Sequence, residues 1–148
     1  MADIKRSGRA IWSGDLRGGD GTMTTESGVL KEAEFTFATR FKDAPGTNPD
    51  ELIAAAHAGC YSMALAGFLS EKGYEVEAID VTATIHVTPQ DGGGFAITRS
   101  ELEVEGDVPG LDEETFEQLA HDADETCPVS NLLRPGLEIE IETRLRAS

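Results

Sequence analysis

Residues 48–60 read Asn48-Pro49-Asp50-Glu51-Leu52-Ile53-Ala54-Ala55-Ala56-His57-Ala58-Gly59-Cys60. An asparagine followed by proline is a good helix start. The Asn48 side chain can accept from an orphan amide, and proline at the first helical position has no N–H to waste. Glu51, three residues after the cap, comes close to a capping box. From there the sequence predicts a helix running to Lys72, where Gly73 supplies the stop. Its body is small-sided: Ala54, Ala55, Ala56, Ala58, Gly59, Ala64, Ala66 and Gly67. Such a helix lets another backbone come close, which marks it as central. The apolar run at 54–69 is interrupted by His57, Gly59 and Ser62, and reads as too short and too small-sided for a membrane span.

The segments on either side read as strands. Residues 7–16 suggest a short strand and turn, 14–21 a Gly- and Asp-rich turn, and 22–27 a Thr-rich strand. Phe35-Thr-Phe-Ala-Thr-Arg-Phe41 alternates aromatic and polar side chains, which predicts a half-buried strand and completes an N-terminal antiparallel meander. After the helix, 76–88 and 95–108 alternate as two strands joined by the hairpin residues 90–94. Asp112 can cap a second helix over 113–126, with Phe116, Leu119, Ala120 and Ala123 on one face. Cys127-Pro128 should end or kink that helix. Leu137-Glu-Ile-Glu-Ile-Glu142 is an alternating strand. The order β-β-β-α-β-β-α-β belongs to the α+β class: a long central helix packed on antiparallel sheet, in a single domain over 1–148.

Charge narrows the partners. The chain of 148 residues holds 28 Asp and Glu against 12 Lys and Arg, a net charge of −16. Such a surface repels phosphate backbones and anionic bilayers, so neither nucleic acid nor a membrane is expected as partner. The start, Met1-Ala2-Asp3-Ile4-Lys5-Arg6, leads into no apolar segment and suggests no signal peptide. A cytoplasmic protein is expected.

Two cysteines, Cys60 and Cys127, would be unremarked as small buried residues if they stood alone. Their surroundings say more. The stretch 48–60, together with Cys127-Pro128-Val129-Ser130-Asn131-Leu132-Leu133, resembles the OsmC/Ohr family. There an asparagine-proline-acid start leads into an alanine-rich helix bearing a peroxidatic cysteine, and a second motif bears the resolving cysteine. Gly46-Thr47-Asn48-Pro49, Ser62-Met63-Ala64-Leu65 and Gly94-Phe95-Ala96-Ile97-Thr98 match as well. Thr39-Arg40-Phe41 and Ala56-His57-Ala58 look more like the OsmC branch.

The resemblance implies a thiol peroxidase acting on organic hydroperoxides, and more weakly on hydrogen peroxide. Cys60 would be peroxidatic and Cys127 resolving. A dithiol of lipoyl or thioredoxin type would be the reductant, with no cofactor and no metal. A free thiol holds little thiolate at neutral pH. By resemblance Arg40 favours the Cys60 thiolate, and an acid at the helix head orients it. The family carries glutamate where this chain has the shorter Asp50, so Asp50 or Glu51 fills that role. The resemblance also implies an intertwined homodimer. Asp50 and Cys60 lie about 15 Å apart along a continuous helix, so if both meet Arg40, either the acid comes from the partner chain or the helix head is not straight. His57 shares the Cys60 face and reads as a partly buried structural histidine. Two other readings stay open: a metal-binding protein using Cys60, Cys127 and His57, and a redox-sensing dimeric module on the same fold.

The acid excess, with only four lysines, has a measurable consequence. Self-repulsion is screened by salt, so the urea midpoint of unfolding should rise between low and molar KCl. A flat midpoint would show that the surface charge does not weigh on stability.

Overall fold

The computed structural model describes residues 2–146. They form an α+β arrangement of two compact units, Met1–Leu52 and Ile53–Ser148.

The first unit is built on three strands, β1 (Gly8–Ser13), β2 (Asp20–Thr25) and β3 (Ala33–Phe35), paired antiparallel in that order. Its centre is aromatic: the Trp12 and Phe35 rings lie 5.3 Å apart. Gly21 sits beneath them, where a Cβ would come within 2.6 Å of the Trp12 ring and 2.8 Å of the Phe35 ring. Only glycine leaves room for that pair. The expected strand at 35–41 stops at Phe35, and the chain turns there into a short helix, α1 (Phe37–Phe41). Thr36 and Thr39 cap it reciprocally, each hydroxyl accepting the other's amide at 3.2 and 2.9 Å. Phe37 and Phe41 fit a helical spacing as well as an alternating one, and their rings meet at 5.0 Å. The cap decides between the two patterns.

The long helix, α2 (Pro49–Glu71), starts as the sequence predicts: the Glu51 amide donates to Asn48 Oδ1 at 2.8 Å. With 23 residues it is long and apolar enough to cross a bilayer by length and composition, contrary to the sequence expectation. Its buried face instead belongs to a protein core. Tyr61, Leu65 and Leu69 recur every fourth residue with 0% exposure and cluster with Leu102, Val104, Phe116 and Ala120. The Tyr61 hydroxyl donates to the Ala120 carbonyl at 2.6 Å, which satisfies that buried polar group.

The second unit holds β4 (Ala78–Pro89), β5 (Phe95–Asp107), α3 (Glu113–Asp124), α4 (Pro128–Leu133) and β6 (Glu138–Leu145). The sheet order is β4-β5-β6. β4 and β5 form the predicted hairpin, whereas β6 pairs parallel to β5. The sheet is therefore mixed, not purely antiparallel. The reason is the connection: the chain between β5 and β6 carries two helices, the kind of crossover a parallel pair requires. Asp112 caps α3 as expected, accepting the Thr115 amide at 2.8 Å. Pro128 does more than end that helix. It occupies the first position of α4, with Cys127 as the N-cap residue.

Phe116 is the largest side chain that α3 contributes to this core, and it packs on the bare backbone of Gly106, within 2.6 Å of where a Cβ would stand. Phe116→Ala should cost about 3–5 kcal/mol, read from urea unfolding. A loss under about 1 kcal/mol would mean the core does not close over this ring.

Candidate active site

The two cysteines stand on separate elements 67 residues apart in the chain, yet their sulfurs lie 3.3 Å apart, the Cys127 thiol donating toward Cys60. Both are free thiols; Cys60 is half-buried and Cys127 buried. A disulfide needs roughly 2.0 Å between sulfurs, so once one sulfur has been oxidised only a small approach is needed for the other to close the bond.

Each sulfur also receives a backbone amide from the start of α4. The Val129 N–H donates to Cys60, and the Ser130 N–H donates to Cys127 Sγ at 3.4 Å. Burial pushes the Cys60 thiol up from its ordinary value, the Val129 amide opposes that, and Cys127 beside it pushes it further up. Left to this surrounding, Cys60 is a poor nucleophile at neutral pH and needs a cation or further donors to become a good one.

His57, one helical turn before Cys60, is completely buried rather than partly so. Nδ1 lies 2.7 Å from Ser100 Oγ on β5, and Nε2 lies 2.7 Å from Ser130 Oγ on α4. Burial lowers its proton affinity; the nearby Asp124 carboxylate works the other way, and Arg134 reinforces the effect of burial. The ring is therefore held neutral, one nitrogen donating to a serine and the other accepting from one. Both nitrogens are thus engaged, and among the described residues no three His, Cys, Asp or Glu side chains gather to hold a metal ion. The far end of α4 is fixed separately. Arg134 Nη1 donates to the buried Asp124 Oδ2 at 2.8 Å, and Asn131 Nδ2 donates to the Glu125 carbonyl at 2.9 Å.

In the first unit, Arg40 lies on α1 and grips Asp50 with two bonds, Nε to Oδ2 at 2.9 Å and Nη2 to Oδ1 at 3.2 Å. Its guanidinium carbon also sits 5.0 Å from the Phe41 ring centre. A planar fork on a carboxylate is fixed in direction as well as position. Of the two acids open in the sequence, Asp50, 7% exposed, is the one that binds Arg40. Glu51 points to solvent. The shorter carboxylate does reach, and it comes from the same chain as Arg40. The spacing demands a partner's acid only if Arg40 meets acid and sulfur of one chain at one point.

Sequence reasoning missed Ser100, Ser130, Phe41 and the Val129 amide. Ser130 lies three residues after Cys127, the spacing of a helix cap and its amide partner, and that was the one available signal. Ser100 is a polar residue among the apolar, inward-facing positions of β5, and nothing local says what it faces.

A family model described as OsmC-like protein matches residues 41–142. The chain is 44% identical to Peroxiredoxin OsmC of Escherichia coli (strain K12) over 141 residues, covering 95% of this chain and 98% of that protein. It is 28% identical to Organic hydroperoxide resistance protein OhrB of Bacillus subtilis (strain 168), covering 86% of this chain and 93% of that one. The crystal structure of Bacillus subtilis OhrB superposes with a TM-score of 0.73 at 26% identity, covering 93% of this chain and 98% of that one.

Proposed function

The chain belongs to the OsmC-like protein family, and on that premise we propose that it is a thiol-dependent peroxidase, reducing organic hydroperoxides, and hydrogen peroxide more weakly, through Cys60 and Cys127. The observation that carries this reading is the pair of free thiols whose sulfurs lie 3.3 Å apart. The names of the Escherichia coli and Bacillus subtilis relatives support the substrate class. The setting we assign is the cytoplasm, where thiol pools keep such a pair reduced. The chain acts as a single domain over 1–148.

The chemistry is set by the pair. The Cys60 thiolate attacks the outer peroxide oxygen; the O–O bond breaks, and the alkoxide leaves and takes up a proton as the alcohol. Cys60 is left as a sulfenic acid. The Cys127 sulfur then attacks the Cys60 sulfur. The S–S bond forms, the S–O bond breaks, and water leaves with the thiol proton. A dithiol of lipoyl or thioredoxin type opens the disulfide by two exchanges and is itself oxidised to a disulfide.

Arg40 supplies the charge that favours the thiolate, aimed by Asp50 and Phe41. The acting unit in this reading is an intertwined homodimer. Asp50 and Cys60 start about 15 Å apart on one helix, more than an arginine spans while holding the acid, so Arg40 and Asp50 of one chain serve Cys60 and Cys127 of the other. α2 offers a surface for such a dimer: Ala55, Gly59, Met63 and Gly67 form an exposed, uncharged row at every fourth residue, narrow enough for close helix approach.

Steady-state assays with cumene hydroperoxide and hydrogen peroxide, using dihydrolipoamide and thioredoxin in turn, test the activity. Cys60→Ser should abolish turnover. Cys127→Ser should consume one equivalent of peroxide, then stall and over-oxidise. Unchanged turnover in Cys60→Ser would reject the enzyme reading and leave a redox sensor or metal-binding module.

Shared sites are tested by mixing. A dimer of one Cys60→Ser chain and one Arg40→Ala chain has one site with both defects and one intact, so about half of wild-type activity should return. No recovery on mixing, or a monomer by light scattering at assay concentration, would refute the shared site.

A further inference from the structure

Ser130 touches both the sulfur pair and the buried histidine. Its amide donates to Cys127 Sγ at 3.4 Å, and its hydroxyl lies 2.7 Å from His57 Nε2. The residue before it, Val129, donates its amide to Cys60. Fixing Ser130 therefore fixes two successive peptide units, one aimed at each sulfur. His57 is in turn fixed on its other side by Ser100, at 2.7 Å, and all three side chains have 0% exposure. The serine–histidine–serine bridge thus runs from β5 through α2 to α4, one helical turn from the Cys60 position.

We propose that His57 is a positioning residue for the thiol chemistry: by holding Ser130 it aims the Val129 and Ser130 amides at Cys60 and Cys127 and keeps the two sulfurs within closing distance. Burial obliges any histidine to find partners for both nitrogens; what marks this one is that one of its partners, Ser130, also places its amide on Cys127 Sγ. The bridge sets the geometry of α4 where the sulfurs are, while Arg134 on Asp124 anchors its far end. Losing the bridge should loosen the start of α4 without releasing the helix. In the reaction proposed above, the affected step is closure: Cys127 must meet the Cys60 sulfenic acid before a second peroxide does.

This inference rests on reading Cys60 and Cys127 as a redox pair, and its test does not require peroxide turnover. Diamide oxidises a dithiol in two steps. One thiolate adds to its N=N bond; the second then displaces the adduct, forming the disulfide and releasing the hydrazine. Reduced wild type, His57→Phe and Ser130→Ala are treated with diamide, and the closed Cys60–Cys127 fraction is followed by mass spectrometry. Both variants should close about tenfold more slowly or worse, as expected when reacting groups are misplaced by a fraction of an ångström or more. Cys60 alkylation, measured in the Cys127→Ser background, should also shift to higher pH in Ser130→Ala, because the Val129 donor is no longer held on the sulfur. A general loss of stability would not produce that shift. Ser130→Ala removes one hydroxyl and serves if His57→Phe does not fold. Wild-type closure with an unchanged alkylation profile in folded Ser130→Ala would overturn the proposal, whether or not the wild type reduces peroxide.

Discussion

Cys60 and Cys127 are separated by 67 residues of chain and by 3.3 Å of space, and the second unit is organised around keeping that distance short. A helix, a strand hairpin and a helical crossover must all pack before the two sulfurs can meet. Tyr61, Leu65 and Leu69 fasten α2 into the core, while Phe116, Leu119, Ala120 and Ala123 fasten α3. α4 begins directly at Cys127. Packing of this kind has few alternatives, because a close-packed core tolerates little displacement. It can therefore hold two reactive atoms near contact without a covalent bond between them.

The polar groups buried around the pair are arranged with equal economy. A buried histidine is costly unless both nitrogens are partnered, and His57 has a serine on each. The same bonds join three elements close to the sulfurs. Burial alone raises the Cys60 thiol and so works against nucleophilic chemistry. The Val129 amide offsets part of this within the unit, and the proposed Arg40 contact would supply the charge that an amide cannot.

Arg40 illustrates how a cation is prepared for such a task. Its guanidinium is spread between the Asp50 carboxylate and the Phe41 ring, which leaves it little freedom to turn. The acid that holds it lies two helical turns before His57 on the same helix, so α2 carries both the anchor of the cation and the cysteine proposed as nucleophile. The proposed shared site rests on the continuity of that helix: a rigid rod does not allow Asp50 and Cys60 to approach one another.

Much of this was legible in the amino-acid order. The Asn48-Pro49 cap, the small-sided helix, the β4–β5 hairpin, the Asp112 cap and the apolar face of α3 come from local rules that need only a few neighbouring residues. The two cysteine motifs marked Cys60 and Cys127 before any distance was known. Other features were decided by packing across long stretches of chain. Residues 37–41 satisfy both a strand and a helix pattern, and a capping pair settled the matter. β6 alternates equally well in either direction, and its parallel pairing came from the helices that precede it. Asp50 and Glu51 are adjacent and chemically alike, so only the direction each faces on α2 could assign one of them to Arg40. Ser100 and Ser130 carry no signal of their own, because a hydroxyl acquires meaning from what folding places 2.7 Å away. Local sequence thus set the elements and their chemistry, whereas contacts between residues distant in the chain set the partners, because only the packed core brings them together.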